Sequence, residues 1–307
     1  MSQTLASAPK PASSALAGGD RTGLIAIVAG TCFIAWTGIF FRFTEVGPIT
    51  TAAWRLIIAV PALMIWMRLL NARTAASDAT PARREPLKLV FPVLIAGLAF
   101  ASDVACFHLS LGGTSITNAS FIGNIAPILT VVGGTLFFGE HPDRRVWAAL
   151  ALALVGSWVM AGLVAPKDLN PGDIWALGAA VSYCGYLLFI KQLRLKLDGP
   201  SATMWSAAAS AVVLTIAALI MEKQFFPTTL VGWAVVFAIG VGSHAMGQGL
   251  TSIAMGRVPV GVVATVILAQ PPVSALLAWW LLGEAINIYQ ICGATIIIAA
   301  LVIGRPR

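Results

Sequence analysis

Of 307 residues, 58% are hydrophobic and only 10% are charged, and the mean hydropathy is +0.89. A soluble chain carries about 25% charged residues, and repeated apolar runs of roughly 20 residues exclude a soluble fold in favour of a polytopic membrane protein. The net charge of +7 therefore bears on orientation across a bilayer, not on nucleic acid.

Residues 1–20, rich in Ala, Ser and Pro and ending Gly-Gly-Asp, lack the apolar run of a signal peptide and read as a disordered cytoplasmic tail. Apolar runs bounded by charge, Gly or Pro then predict ten membrane spans: 22–44, 48–70, 89–111, 114–138, 146–165, 173–193, 200–221, 229–255, 259–282 and 286–304. Connections are short except for a polar loop at 71–88 that carries Arg73, Arg83, Arg84 and Lys88. Cys32, Cys106, Cys184 and Cys292 lie in apolar runs without CxxC spacing, so they read as small packing residues. With the N-terminus inside, fifteen of the nineteen Lys and Arg fall on the cytoplasmic side, which predicts that both termini are cytoplasmic.

One stretch occurs twice: NIAPILTVVGGTLFFGE from Asn124 and LAQPPVSALLAWWLLGE from Leu268. Pro127 and Pro271 interrupt the apolar runs, and Gly139-Glu140 and Gly283-Glu284 end them, both at an offset of 144 residues. A proline deep in an apolar helix costs about 3 kcal/mol unless a neighbour or a wet cavity satisfies the freed carbonyl. Two at matching places predict helix kinks beside a shared cavity. The same offset carries spans 3–5 onto spans 8–10, and a slightly different one brings Arg42 onto Lys191. Five spans is an odd number, so the second copy must enter the membrane inverted. The expected fold is all-α integral membrane, a 5+5 inverted repeat with units at 21–165 and 166–307 around a central cavity. Inverted repeats recur in secondary transporters; a symmetric channel or a scaffold is the competing reading.

The paired Pro-to-Gly-Glu motifs, Trp54-Arg55 early in span 2, and GDIWALGAAVSYCGYLLF from Gly172 resemble the drug/metabolite transporter superfamily. The chain is similar to its EamA-type ten-helix exporters, and within them to the YddG-type amino-acid exporters. The resemblance implies a basket of helices around a cavity, with spans 5 and 10 peripheral, in the plasma (bacterial inner) membrane. It implies export and no cofactor, in a monomer or homodimer whose partners are a small-molecule substrate and the bilayer. One departure is Ala207, which stands about where Arg55 would map in the second repeat.

Polar residues at membrane depth are the candidate site. Asp103 is the one carboxylate clearly inside an apolar run, and a charge there costs at least ~2.5 kcal/mol unless it is paired or wet. At ~1.5 Å per residue, Arg55 and Asp103 reach similar depths. An ion pair, a gate and a proton-carrying carboxylate all remain open for them. Asn124 and Gln270 stand beside Pro127 and Pro271; their amides suit a zwitterion or merely satisfy freed carbonyls. His244 and Gln248 share a helical face by their spacing, whereas His108 lies near a span end. Trp36, Tyr183 and Tyr186 occupy corresponding spans of the two halves and supply aromatic surface. Glu140 and Glu284, at span ends, are expected to fix the turn into the next helix.

A membrane enzyme would need an activated nucleophile, a metal cluster or paired carboxylates at membrane depth, where the chain offers one carboxylate and two separated histidines, and without a Walker loop an ATP-driven pump is disfavoured too. Spans 3, 4, 8 and 9 carry no Lys or Arg within them, which disfavours phosphate-bearing substrates. The expected function is export of amino acids, including aromatic ones, or similar amphipathic metabolites by alternating access. The alternative is multidrug or lipophilic-cation efflux, with Asp103 as the counter-ion.

Overall fold

A computed structural model of the chain describes residues 20–75, 87–111, 113–114, 116–163 and 170–304. Among the described residues the regular structure is all helical, without strands: α1 (Arg21–Phe41), α2 (Pro48–Ala75), α3 (Leu87–Leu111), α4 (Ile116–Gly123), α5 (Ala126–Phe138), α6 (Arg144–Met160) and α7 (Pro171–Arg194). They continue as α8 (Gly199–Met221), α9 (Leu230–Ala238), a π-helical stretch (Ile239–Gln248), α10 (Gly249–Met255), α11 (Val260–Ile267), α12 (Gln270–Leu282) and α13 (Ile288–Ile303). Joined end to end, α4–α5, α9–α10 and α11–α12 each form one broken rod, so ten rods stand where ten spans are expected. Eight are long and apolar enough to cross a membrane. The other two, α6 with 17 residues and α13 with 16, are shorter. The loop expected at 71–88 is narrower than the sequence implies, because residues 71–75 prolong α2 and α3 begins at Leu87; residues 76–86 and the tail at 1–19 lie outside the described residues.

Local chemistry starts the helices. Asp20 caps α1 by accepting from the Thr22 and Gly23 amides, Asp198 caps α8 by accepting from Ser201 N at 2.8 Å, and Asn170–Asp173 and Asn287–Gln290 form capping boxes on α7 and α13. Each satisfies amide donors that the first helical turn leaves open. Large apolar side chains such as Leu230 (88% exposed) and Ile220 (79%) point outward. A bilayer makes that arrangement favourable; water would not.

Side contacts order the rods. α3 packs along α7, α2 along α8, and α1 along the π stretch, while α6 and α13 pack on one another and join the rest mainly through α11 and α12. The peripheral place implied for spans 5 and 10 is thus where α6 and α13 stand. Close backbone approach makes that pair possible: a Cβ on Gly156 would lie 2.8 Å from the Gly293 carbonyl. Among the cysteines, Cys184 is buried, Cys106 is partly exposed, Cys32 and Cys292 are exposed, and all four are free.

Two ends of the bundle can be told apart by their contacts. At one, Arg42 pairs with Glu284, Glu222 accepts from Ile49 N and Thr50 N at the start of α2, and Glu45 accepts from Thr228 N and Thr229 N before α9. The Thr229 hydroxyl and these amides hold the Glu45 carboxyl down at about 2, so that latch stays ionised at any physiological pH. At the other end, Arg257 pairs with Asp20, and this contact keeps the Asp20 carboxyl below its usual range. One end is thus the Arg42 face and the other the Arg257 face.

Candidate functional site

The two helix breaks build the site. α4 stops at Gly123 and α5 restarts at Ala126; α11 stops at Ile267 and α12 restarts at Gln270. Pro127 and Pro271 each fall within the first turn of the restarting helix. There the missing N–H has no helical partner to lose and the fixed φ suits the turn. The prolines therefore stand just after a two-residue break in each rod, where the helix restarts.

Around the breaks lies a cavity of about 780 Å³. Asn124, Pro127, Gln270 and Pro271 line it from the breaks, Tyr183 from α7, Gln248 from the end of the π stretch, and Arg55 and Asp103 from α2 and α3. It extends to Arg42 and thus reaches the Arg42 face. Three other candidates stand back from it. Trp36 stacks on Phe40, with centroids 5.5 Å apart, because the face of α1 turned to the cavity is Ile34, Ala35, Thr37, Gly38 and Phe41. Tyr186 is buried behind, 4.9 Å from the Phe100 ring and 6.0 Å from Tyr183. His244 is 1% exposed and meets the Phe100 ring edge-on at 5.2 Å. In a π-helical stretch the four-residue spacing of His244 and Gln248 no longer repeats one α-helical face, so only Gln248 reaches the cavity. The His108 side chain lies outside the described residues.

Arg55 and Asp103 face the same cavity. The ion pairs within 4.0 Å among the described residues are Arg42–Glu284, Lys191–Glu140 and Arg257–Asp20, and Arg55–Asp103 is not one of them. The Arg55 guanidinium sits 5.7 Å over the Phe100 ring, and its Nε is buried without a hydrogen-bond partner among the described residues. Its backbone is held close: a Cβ on Gly240 would stand 3.0 Å from the Arg55 carbonyl, so α2 presses directly on the π stretch.

Some lining residues escaped the sequence reading, although a signal existed. Phe100 and Phe107 stand three before and four after Asp103, and Ser274 stands four after Gln270, so all share a helical face with a recognised polar residue. Ser274 also donates to the Ala35 carbonyl at 2.8 Å and ties α12 to α1.

Glu140 and Glu284 do something other than hold the following helix. Gly139 and Gly283, with φ of 63° and 66°, end α5 and α12 in the left-handed region that glycine adopts without strain. The glutamates are thereby turned onto other elements. Glu140 accepts from Lys191 of α7 and from Val260 N, 2.9 Å away at the start of α11; Glu284 pairs with Arg42 after α1. Beside Glu140 a second cavity, of about 810 Å³, opens on the Arg257 face, and it shares no lining residue with the first.

Ten mostly apolar rods around a cavity that mixes aromatic, amide and charged groups define a multi-pass membrane protein with room for a small solute. The chain belongs to the EamA-like transporter family, whose model matches residues 21–162 and again 170–304. It is 25% identical over 273 residues to the uncharacterized transporter YwfM of Bacillus subtilis (strain 168), covering 85% of this chain and 86% of that one. A Salmonella typhimurium (strain LT2) protein named probable amino-acid metabolite efflux pump is 26% identical over 197 residues, or 61% of this chain and 66% of its own. One solved crystal structure superposes with a TM-score of 0.75 at 18% identity, covering 91% of this chain and 97% of that chain, which shows a shared fold.

Proposed function

We propose that this transporter exports amino acids or similar amphipathic metabolites from the cytoplasm by alternating access. The observation that carries the reading is the cavity at the two helix breaks, where Asn124, Gln248 and Gln270 offer neutral hydrogen bonds beside Tyr183 and Phe100. A mostly apolar pocket with a few convergent polar groups suits such a ligand. The name of the Salmonella relative points the same way.

The motion follows from an inverted repeat. Support for it comes from two family matches of similar length and from two cross-half pairs, Glu140–Lys191 and Glu284–Arg42, one at each face. Rocking of one half against the other would break one pair as the other tightens. The charge bias supports a cytoplasmic Arg257 face with both termini on the same side. A C-terminal green-fluorescent-protein fusion is then expected to fluoresce and an alkaline-phosphatase fusion to stay inactive; the opposite pattern removes the inverted topology.

Flux of labelled amino acids into proteoliposomes tests the substrate. Gln248→Ala with Gln270→Ala is expected to lower it by about tenfold, since each amide bond contributes about 0.5–1.5 kcal/mol. Unchanged flux in folded, monodisperse protein would sink the site. Asp103 among Phe100, Phe107 and Tyr183 favours a second reading, lipophilic-cation efflux. That reading prevails if only tetraphenylphosphonium moves and Asp103→Asn abolishes its flux.

A further inference from the structure

Arg55 and Asp103 face one cavity without closing an ion pair within 4.0 Å. Such an arrangement is costly at membrane depth, where each unpaired charge costs about 2.5–3.5 kcal/mol or more. A direct ion pair would relieve both, yet no Arg55 nitrogen comes within 4.0 Å of an Asp103 oxygen. The Arg55 guanidinium is drawn over the Phe100 ring, and its helix is pressed against the π stretch at Gly240, where a Cβ would meet Ile58 of α2 at 2.8 Å and the Arg55 carbonyl at 3.0 Å. Its buried Nε has no hydrogen-bond partner among the described residues. Asp103 lies one helical turn beyond Phe100 on the same α3 face, and both line the cavity.

Resting on the amino-acid reading above, we infer that Arg55 and Asp103 are the two ionic contacts for a zwitterionic α-amino acid, Arg55 taking its carboxylate and Asp103 its ammonium group. A guanidinium matches a carboxylate through a planar fork of N–H donors, and a carboxylate accepts from an ammonium group. A zwitterion has both charges at fixed, short separation, so one molecule satisfies both residues at once and carries no net charge into the membrane. A ligand with one charge leaves the other residue unpaired. The aromatic wall of Phe100 and Tyr183 is left for the side chain, while the amides of Asn124, Gln248 and Gln270 add neutral hydrogen bonds to the ligand's polar groups. The two charged residues thus select the backbone of the substrate, and the rest of the cavity selects among amino acids.

Competition with blocked ligands tests this. Purified protein in proteoliposomes takes up labelled L-leucine or L-phenylalanine in competition with the free amino acid, its N-acetyl derivative and its amide. Wild-type protein is expected to favour the free amino acid over either blocked form by about tenfold or more, as a charge-assisted bond contributes about 1.5–3 kcal/mol. Arg55→Gln should erase the preference over the amide and keep the preference over the N-acetyl form; Asp103→Asn should do the reverse. Where either variant fails to elute as folded protein, Arg55→Lys or Asp103→Glu takes its place, with the matching preference reduced and the other intact. Wild-type uptake of amino acids that is indifferent to blocking, or variants that weaken all three competitors equally, overturns the inference and leaves amino-acid transport standing. Wild-type protein that takes up neither amino acid overturns the transport reading itself.

Discussion

Glu140→Gln is expected to raise the labelling rate of Cys184 by a membrane-impermeant maleimide about thirtyfold, in protein whose other three cysteines are Ala. Glu140 is where α5 is fastened to α7 through Lys191 and to α11 through Val260 N. Its pair with Lys191 is largely buried, with side chains 13% and 21% exposed. Breaking a fully buried pair costs about 3–5 kcal/mol and an exposed one about 0–1; this one falls between, at about 2 kcal/mol, or about thirtyfold in the population of the opened state. Cys184 is a buried residue of α7, so separating α5 from α7 uncovers it. The mirrored change Glu284→Gln removes a pair whose side chains are 53% and 45% exposed, and it should alter the rate by less than about fivefold. Equal effects of the two substitutions would mean that the Glu140 pair does not hold the Arg257 face shut. Glu140→Lys with Lys191→Glu should restore only part of the closure, because the reversed pair no longer accepts from Val260 N.

Gly30→Leu is expected to destroy most of the folded protein. A Cβ on Gly30 would stand 2.9 Å from the Gly247 carbonyl and 3.0 Å from Thr251 Oγ1. The obstacle is backbone, which cannot swing aside as a side chain does. In a bilayer the hydrophobic effect does little to drive helices together, so α1 is held against the π stretch and α10 by close contact, and small residues are what permit it. Overpacking costs about 1–3 kcal/mol when side chains can adjust, and a whole leucine against backbone belongs at or above the top of that range. Gly38→Ala in the same helix is the control, since nothing lies within 4 Å of its Cβ position and alanine favours the helix by about 0.8–1.0 kcal/mol over glycine. Thermal unfolding in detergent should separate the two, with Gly30→Leu melting well below and Gly38→Ala at or slightly above wild type. Melting of Gly30→Leu at the wild-type temperature would show that α1 does not approach as closely as described.

Much of this organisation is legible in one dimension. Hydropathy marks the spans because each must bury about 20 apolar residues in lipid, and Pro127 and Pro271 mark the breaks because proline lacks the N–H that a continuing helix needs. Gly139 and Gly283 mark the ends of α5 and α12 because a left-handed residue is cheapest as glycine. These are local rules, which a linear pattern can carry. Which side of each helix turns inward is not local. In water an amphipathic stripe reports it, but here lipid and protein interior are both apolar, and the stripe fades. Trp36 therefore reads as well as Ala35 for the cavity, and His244 as well as Gln248; only the packing of α1 on the π stretch turns Ala35 and Gln248 inward. The partners of Glu140 and the lack of a close Arg55–Asp103 ion pair among the described residues are likewise tertiary, since they depend on how α2, α3, α7 and α11 meet after the chain has crossed the membrane several times.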